Sequence, residues 1–130
     1  MIVLDASLVV ELLMNGPLAD ILKGQIEAQT DVFIVPHLVD VEVASALRTL
    51  AAAGRIDAHA STHFLAALTE LPAERYSHTP LLRRVWELRH NFTAYDAMYV
   101  ALAEATDSIL YTCDTKLCKG HKARVVLFQR

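Results

Sequence analysis

Apolar and polar positions along the chain fall into two kinds of run, and their alternation predicts the fold. Ile2–Leu4 and Val32–Val35 are short, wholly apolar and rich in β-branched residues, as expected of strands buried on both faces of a sheet. Ser108–Thr112 and Arg124–Phe128 read as two further strands, and Arg75–His78 as a short edge strand. Between the strands the apolar period lengthens to that of a helix. Ala6–Leu13 continues directly from the first strand, and Asn15-Gly16-Pro17 stops it and restarts a helix in which Leu18, Ile21, Leu22 and Ile26 recur, ending near Ala28. Val39, Val43, Ala46, Leu47 and Leu50 make the stripe of a helix from about Leu38 to Ala53, with Gly54 as its stop. Asp57 caps the next helix, whose apolar positions are Ile56, Ala60, Phe64, Leu65 and Leu68, and the two helices form an αα-hairpin.

Pro80 starts a helix through about Arg89, with Leu81, Leu82, Val85, Trp86 and Leu88 on its apolar side. Thr93 caps a helix over Ala94–Ala105, and Asp114–Lys119 forms a short helical turn. The order β-α-α-β-α-α-β-α-α-β-α-β predicts an α/β protein, a three-layer α/β/α sandwich with a mainly parallel central sheet. Residues 1–130 show no repeat or linker and are expected to form a single domain.

Composition narrows the class. Of 130 residues, 54% are hydrophobic and 21% charged, which provides a substantial core and excludes disorder. A net charge of −3 argues against a general polyanion-binding surface but permits a local basic patch. No apolar stretch has the length of a membrane span, and no signal peptide opens the chain. Cys113 and Cys118 suit neither a disulfide framework nor a zinc site; free thiols in a reducing cytoplasm are expected.

The chemistry lies in the acids. Asp5 follows the first strand with Ser7 two places on, and Asp114 follows the fourth with Thr112 two places before it. Asp96 sits in T-A-Y-D at the start of its helix, and Glu42 lies at the edge of the buried face of another. Taken singly, Asp5, Asp96 and Asp114 have a structural reading as helix caps, and Glu42 as a surface residue beside the core. Taken together, they are expected to meet. In a doubly wound sheet Asp5 and Asp114 leave adjacent central strands at one edge, Asp96 opens the helix leading into the second, and Glu42 borders the same crevice. Four converging carboxylates repel, and hard divalent cations, Mg²⁺ or Mn²⁺, neutralise such a set. The implied chemistry is phosphodiester hydrolysis.

Asp5 with Ser7, Glu42 in VEVASAL, Asp96 in TAYDAMYVALA and Asp114 in LYTCD resemble the pattern of PIN-domain nucleases, and most of all the small VapC-type toxins of toxin–antitoxin pairs. The resemblance spans essentially the whole chain. It implies a metal site of Asp5, Glu42, Asp96 and Asp114, assisted by Ser7 and Thr112, and metal-dependent endoribonuclease cleavage of RNA such as tRNA or rRNA. It also implies a homodimer silenced by a cognate antitoxin. Cys113 departs from the pattern, standing where a polar or basic residue is common.

Lys116, Lys119, His121, Lys122 and Arg124 follow Asp114 closely, and Lys116, Lys119, Lys122 and Arg124 are candidates for RNA phosphates. Arg83, Arg84 and Arg89 are candidates for the same role, while Tyr95 and Tyr99 either stack on bases or pack in a core or dimer. The histidines lack a nucleophile partner and carry no assigned chemistry. The alternatives to a toxin are a PIN nuclease of RNA processing and a protein-binding module with vestigial acids. A receiver-type phosphoacceptor domain lacks its aspartate and lysine in the required places.

Overall fold

The computed structural model describes residues 1–28 and 31–129. Its elements, in chain order, are β1 (Ile2–Leu4), α1 (Ala6–Leu13), α2 (Ala19–Ala28), β2 (Phe33–Pro36), α3 (Leu38–Ala52), α4 (Ala58–Thr69), β3 (Ala73–Tyr76), α5 (Leu82–Glu87), α6 (Ala94–Ala105), β4 (Ile109–Thr112) and β5 (Arg124–Leu127). Short 3₁₀ turns occupy Thr79–Leu81 and Thr115–Cys118.

The five strands form one parallel sheet in the order β3-β2-β1-β4-β5. The wholly buried β1 is central, with Ile2 opposite both Phe33 and Ile109. Helices α1 to α4 pack on one another, and α5 packs on α6, which lies against β1, β2 and β4. This is the expected three-layer α/β/α arrangement. Chain order along the sheet reverses between β1 and β4, which opens a crevice at the carboxyl ends of these two strands.

Helix α6 is buried almost throughout, from Ala97 to Ala103, as a helix carrying small and apolar residues all round must be. Helix α3 ends as its glycine predicts. Gly54 takes φ +72°, and the Arg55 amide returns to the Leu50 carbonyl at 2.9 Å. On the α5–α6 side, Glu104 accepts from Arg84 at 2.6 and 3.1 Å and from the Lys122 amide at 2.9 Å. Burial pushes its carboxyl up, but these donors outweigh it and hold Glu104 below the usual carboxylate range.

The structure departs from the sequence reading in three places. Strand β3 spans Ala73–Tyr76, two residues earlier than expected, because Arg75 is drawn into register opposite Val35. There Arg75 forks onto Asp40 with two bonds of 2.9 Å and donates to the Leu68 carbonyl at 2.8 Å. The helix expected from Pro80 to Arg89 is a 3₁₀ turn followed by the short α5, so its buried stripe narrows to Leu81, Val85 and Leu88. Leu82 and Trp86 are exposed instead, as are Ile21 on α2 and Leu65 on α4. No helix among the described residues is long and apolar enough to cross a membrane.

Candidate active site

Asp5 is both a helix cap and a residue of the crevice. Its backbone is extended at the end of β1, and Oδ1 accepts the Leu8 amide at 3.2 Å, capping α1. Oδ1 also accepts from Ser7 Oγ at 2.6 Å, and Oδ2 accepts a short bond from Thr112 Oγ1. The expected cap is therefore present, and the same buried carboxylate is held by the hydroxyls of Ser7 and Thr112.

The two hydroxyls join the strand ends. Thr112, fully buried at the end of β4, donates to Asp5 and accepts the Asp114 amide at 2.9 Å. Ser7 accepts the Cys113 amide at 3.4 Å while donating to the same aspartate. Asp114 caps the 3₁₀ turn after β4 through the Lys116 amide at 2.9 Å, and Lys116 Nζ lies 3.9 Å from Asp114 Oδ2.

Asp96 rides on the first turn of α6, where the Thr93 hydroxyl accepts its backbone amide at 3.2 Å. Glu42 comes from α3, and its Oε1 accepts the Tyr99 hydroxyl at 2.6 Å. Tyr99 lies one turn beyond Asp96 and is 2% exposed. Sequence reading placed Tyr99 on bases or in a core; it is a core residue whose polar end holds Glu42. The available signal was its spacing from Asp96 on the buried face, since a buried tyrosine hydroxyl needs a partner.

Electrostatics link the acids. Burial pushes Asp5 up against three opposing hydrogen bonds, and Asp114 pushes it further. Burial also raises Asp96, with Asp114 adding to it and Lys116 opposing. Glu42 is raised by burial and by Asp96 and Asp5, against the Tyr99 hydrogen bond. Burial drives the Tyr99 phenol far above its usual range, so it remains a protonated donor. Repulsion therefore runs from Asp5 to Asp114, Asp96, Glu42 and back to Asp5.

Among the described residues, no three Asp, Glu, His or Cys side chains form a ready-made metal-binding cluster. The acids border the crevice rather than closing on one point. As a donor set they are nevertheless all carboxylate oxygens under mutual repulsion, which suits a hard divalent cation and not a thiophilic one.

The basic candidates separate. Lys116 and Lys119 lie in a groove that opens on Asp96. Lys122 lies instead beside Arg84 and Glu104. Arg124 starts β5 opposite Ile109 and donates to the Asp107 carbonyl at 3.0 Å, at the amino end of the sheet and away from the acids. His121 locks its own loop through the Leu117 carbonyl and the Ala123 amide.

The same fold and much of the same sequence occur in known proteins. A family described as PIN domain matches residues 2–122. Ribonuclease VapC9 of Mycobacterium tuberculosis is 44% identical over 124 residues, spanning 95% of this chain and 94% of the relative. The crystal structure of PAE2754 from Pyrobaculum aerophilum superposes with a TM-score of 0.71 at 26% identity, covering 98% of this chain and 89% of the other. A toxin–antitoxin complex from Klebsiella pneumoniae contains a chain with a TM-score of 0.74 at 18% identity and 100% coverage of both, a likeness of fold.

Proposed function

This chain belongs to the PIN-domain family and groups with its VapC ribonucleases, and from that premise we propose that it is a divalent-cation-dependent endoribonuclease and the toxin of a toxin–antitoxin pair. The observation that carries this reading is the placement of Asp5 and Asp114, tied together through Thr112, at the carboxyl ends of β1 and β4, where the strand order reverses. Carboxylates gathered at such a crevice suit a cation, and RNA is a substrate whose own charge a cation offsets.

Asp5, Glu42, Asp96 and Asp114 are the residues assigned to hold Mg²⁺ or Mn²⁺. When bound, the ion supplies charge neutralisation and Lewis-acid polarisation of the scissile phosphate. The remaining work falls to the chain. Ser7 and Thr112 each donate to a different oxygen of Asp5 and so fix the rotation of its carboxylate. Thr112 carries that restraint on to the backbone of Asp114. Tyr99 commits Glu42 Oε1 and thereby orients the rest of the side chain. Residues 1–130 act in this reading as a single nuclease domain. Its partners are an antitoxin and a second copy of the chain, and exposed Val41 and Tyr95, beside Glu42, offer apolar surface for protein contact.

Expression of the chain in a bacterial host without its antitoxin tests the reading. Growth arrest is expected, with RNA fragments whose 5′ ends share one cleavage context, and co-expression of the antitoxin suppresses both. Specific fragments without arrest would make the protein a processing nuclease. Intact RNA would overturn the ribonuclease assignment.

A further inference from the structure

Three depressions border the acids, and they differ in charge. One, beside Ser7 and Cys113, includes the buried Glu11; a second, beside Glu42, is lined by Leu38, Val41 and Tyr95. Neither has a cationic side chain among its described lining residues. The third opens on Asp96 and continues as two overlapping hollows of about 410 and 490 Å³ between the loops Arg89–Thr93 and Lys116–Gly120. Its ionisable side chains beyond Asp96 are Arg89, His90, Lys116 and Lys119, all exposed. A chain of net charge −3 therefore presents three fixed cations along one groove leading away from its acids.

The groove is built rather than incidental. Asn91 ties its two walls together by donating to the Gly120 carbonyl at 3.4 Å. Arg89 is held in place, with its guanidinium carbon 4.6 Å from the Trp86 ring centroid and Nη1 donating to the Trp86 carbonyl at 2.9 Å. Both contacts leave other guanidinium N–H groups for an anion. Lys116 stands at the mouth beside Asp114, and Lys119 lies further along.

Resting on the ribonuclease reading, we propose that this groove is a track for the RNA backbone flanking the cut, with Arg89 and Lys119 each neutralising a phosphate. The strand leaves the acidic crevice past the start of α6. Backbone contacts of this kind supply affinity without sequence preference, and each released counterion appears in the salt dependence of binding.

The test is the binding of a labelled random-sequence RNA pool, about 20 nucleotides long, in chelator across a series of KCl concentrations. The double substitution Arg89→Ala with Lys119→Ala is expected to weaken binding roughly fivefold and to flatten the slope of log affinity against log[KCl] by about 1.4, or about 0.7 per single-strand contact. Lys122→Ala with Arg124→Ala, outside the groove, is expected to leave both unchanged. Both residues of the first pair are exposed, so the fold survives their removal. An unchanged slope in the first pair, or an equal loss in the second, overturns the track. Loss of antitoxin binding with RNA binding retained would also overturn it and assign the groove to an acidic protein segment. Failure of the ribonuclease reading is separate: it is absence of RNA cleavage by the unmodified protein with Mn²⁺.

Discussion

Asp96→Asn is expected to lower the rate of RNA cleavage by about a thousandfold or more, at any RNA concentration, while leaving the protein folded. The substitution keeps shape and removes charge. Thr93 caps α6 through the backbone amide of residue 96, so the helix start does not depend on the carboxylate. Repulsion with Asp114 and Glu42 is relieved, so thermal stability is expected to hold or rise slightly. What would be lost is a carboxylate oxygen proposed to hold the cation, and with it stabilisation of the transition state rather than of bound substrate. Steady-state cleavage and a circular-dichroism melt on the same preparation separate the two effects. Cleavage at the unmodified rate would remove Asp96 from the site.

The second large effect is on stability. Asp5→Ala is expected to lower the unfolding free energy by about 2–3 kcal/mol, because it deletes the α1 cap and leaves the buried Thr112 hydroxyl without its acceptor. Asp5→Asn keeps one acceptor oxygen for the Leu8 amide and the Ser7 hydroxyl, but its amide nitrogen then faces Thr112, whose hydroxyl loses its acceptor. It also removes a carboxyl whose burial disfavours the charged form. Burial raises the Asp5 carboxyl, so its favourable protonated form is fully present only below the unfolded-state value. That contribution is lost as pH rises through the folded-state value. In urea unfolding at neutral pH in chelator, the asparagine variant, which keeps the α1 cap, is therefore expected to be more stable than the alanine variant, although it loses RNA cleavage. Equal destabilisation by both substitutions would contradict this role of Asp5 as the cap.

Much of this arrangement is legible in the residues themselves. Strands β1, β2 and β4 are short apolar runs that admit few other readings, and the Thr93 cap and Gly54 stop mark helix ends by local chemistry. Features set by distant partners are harder to read. The register of β3 depends on an arginine that pairs with Asp40, thirty-five residues earlier. The role of Tyr99 depends on Glu42 in a different helix. The basic cluster divides in space for a topological reason. After the turn at Gly120, which takes φ +91°, the chain must cross to the opposite edge to start a strand parallel to β4. Lys116 and Lys119 precede that crossing and stay near Asp114, whereas Arg124 completes it and leaves. Arg89, remote in sequence, lies in the groove that Lys116 and Lys119 share.

The carboxylates at the ends of β1 and β4 are proposed to act through a divalent cation to cut RNA. This is tested most directly by following RNA cleavage by purified, antitoxin-free protein after exhaustive treatment with EDTA, then on addition of Mg²⁺ or Mn²⁺. The prediction is no cleavage in chelator and recovery on addition of either ion, with no recovery in the Asp96→Asn variant. Cleavage that continues undiminished in EDTA would contradict it.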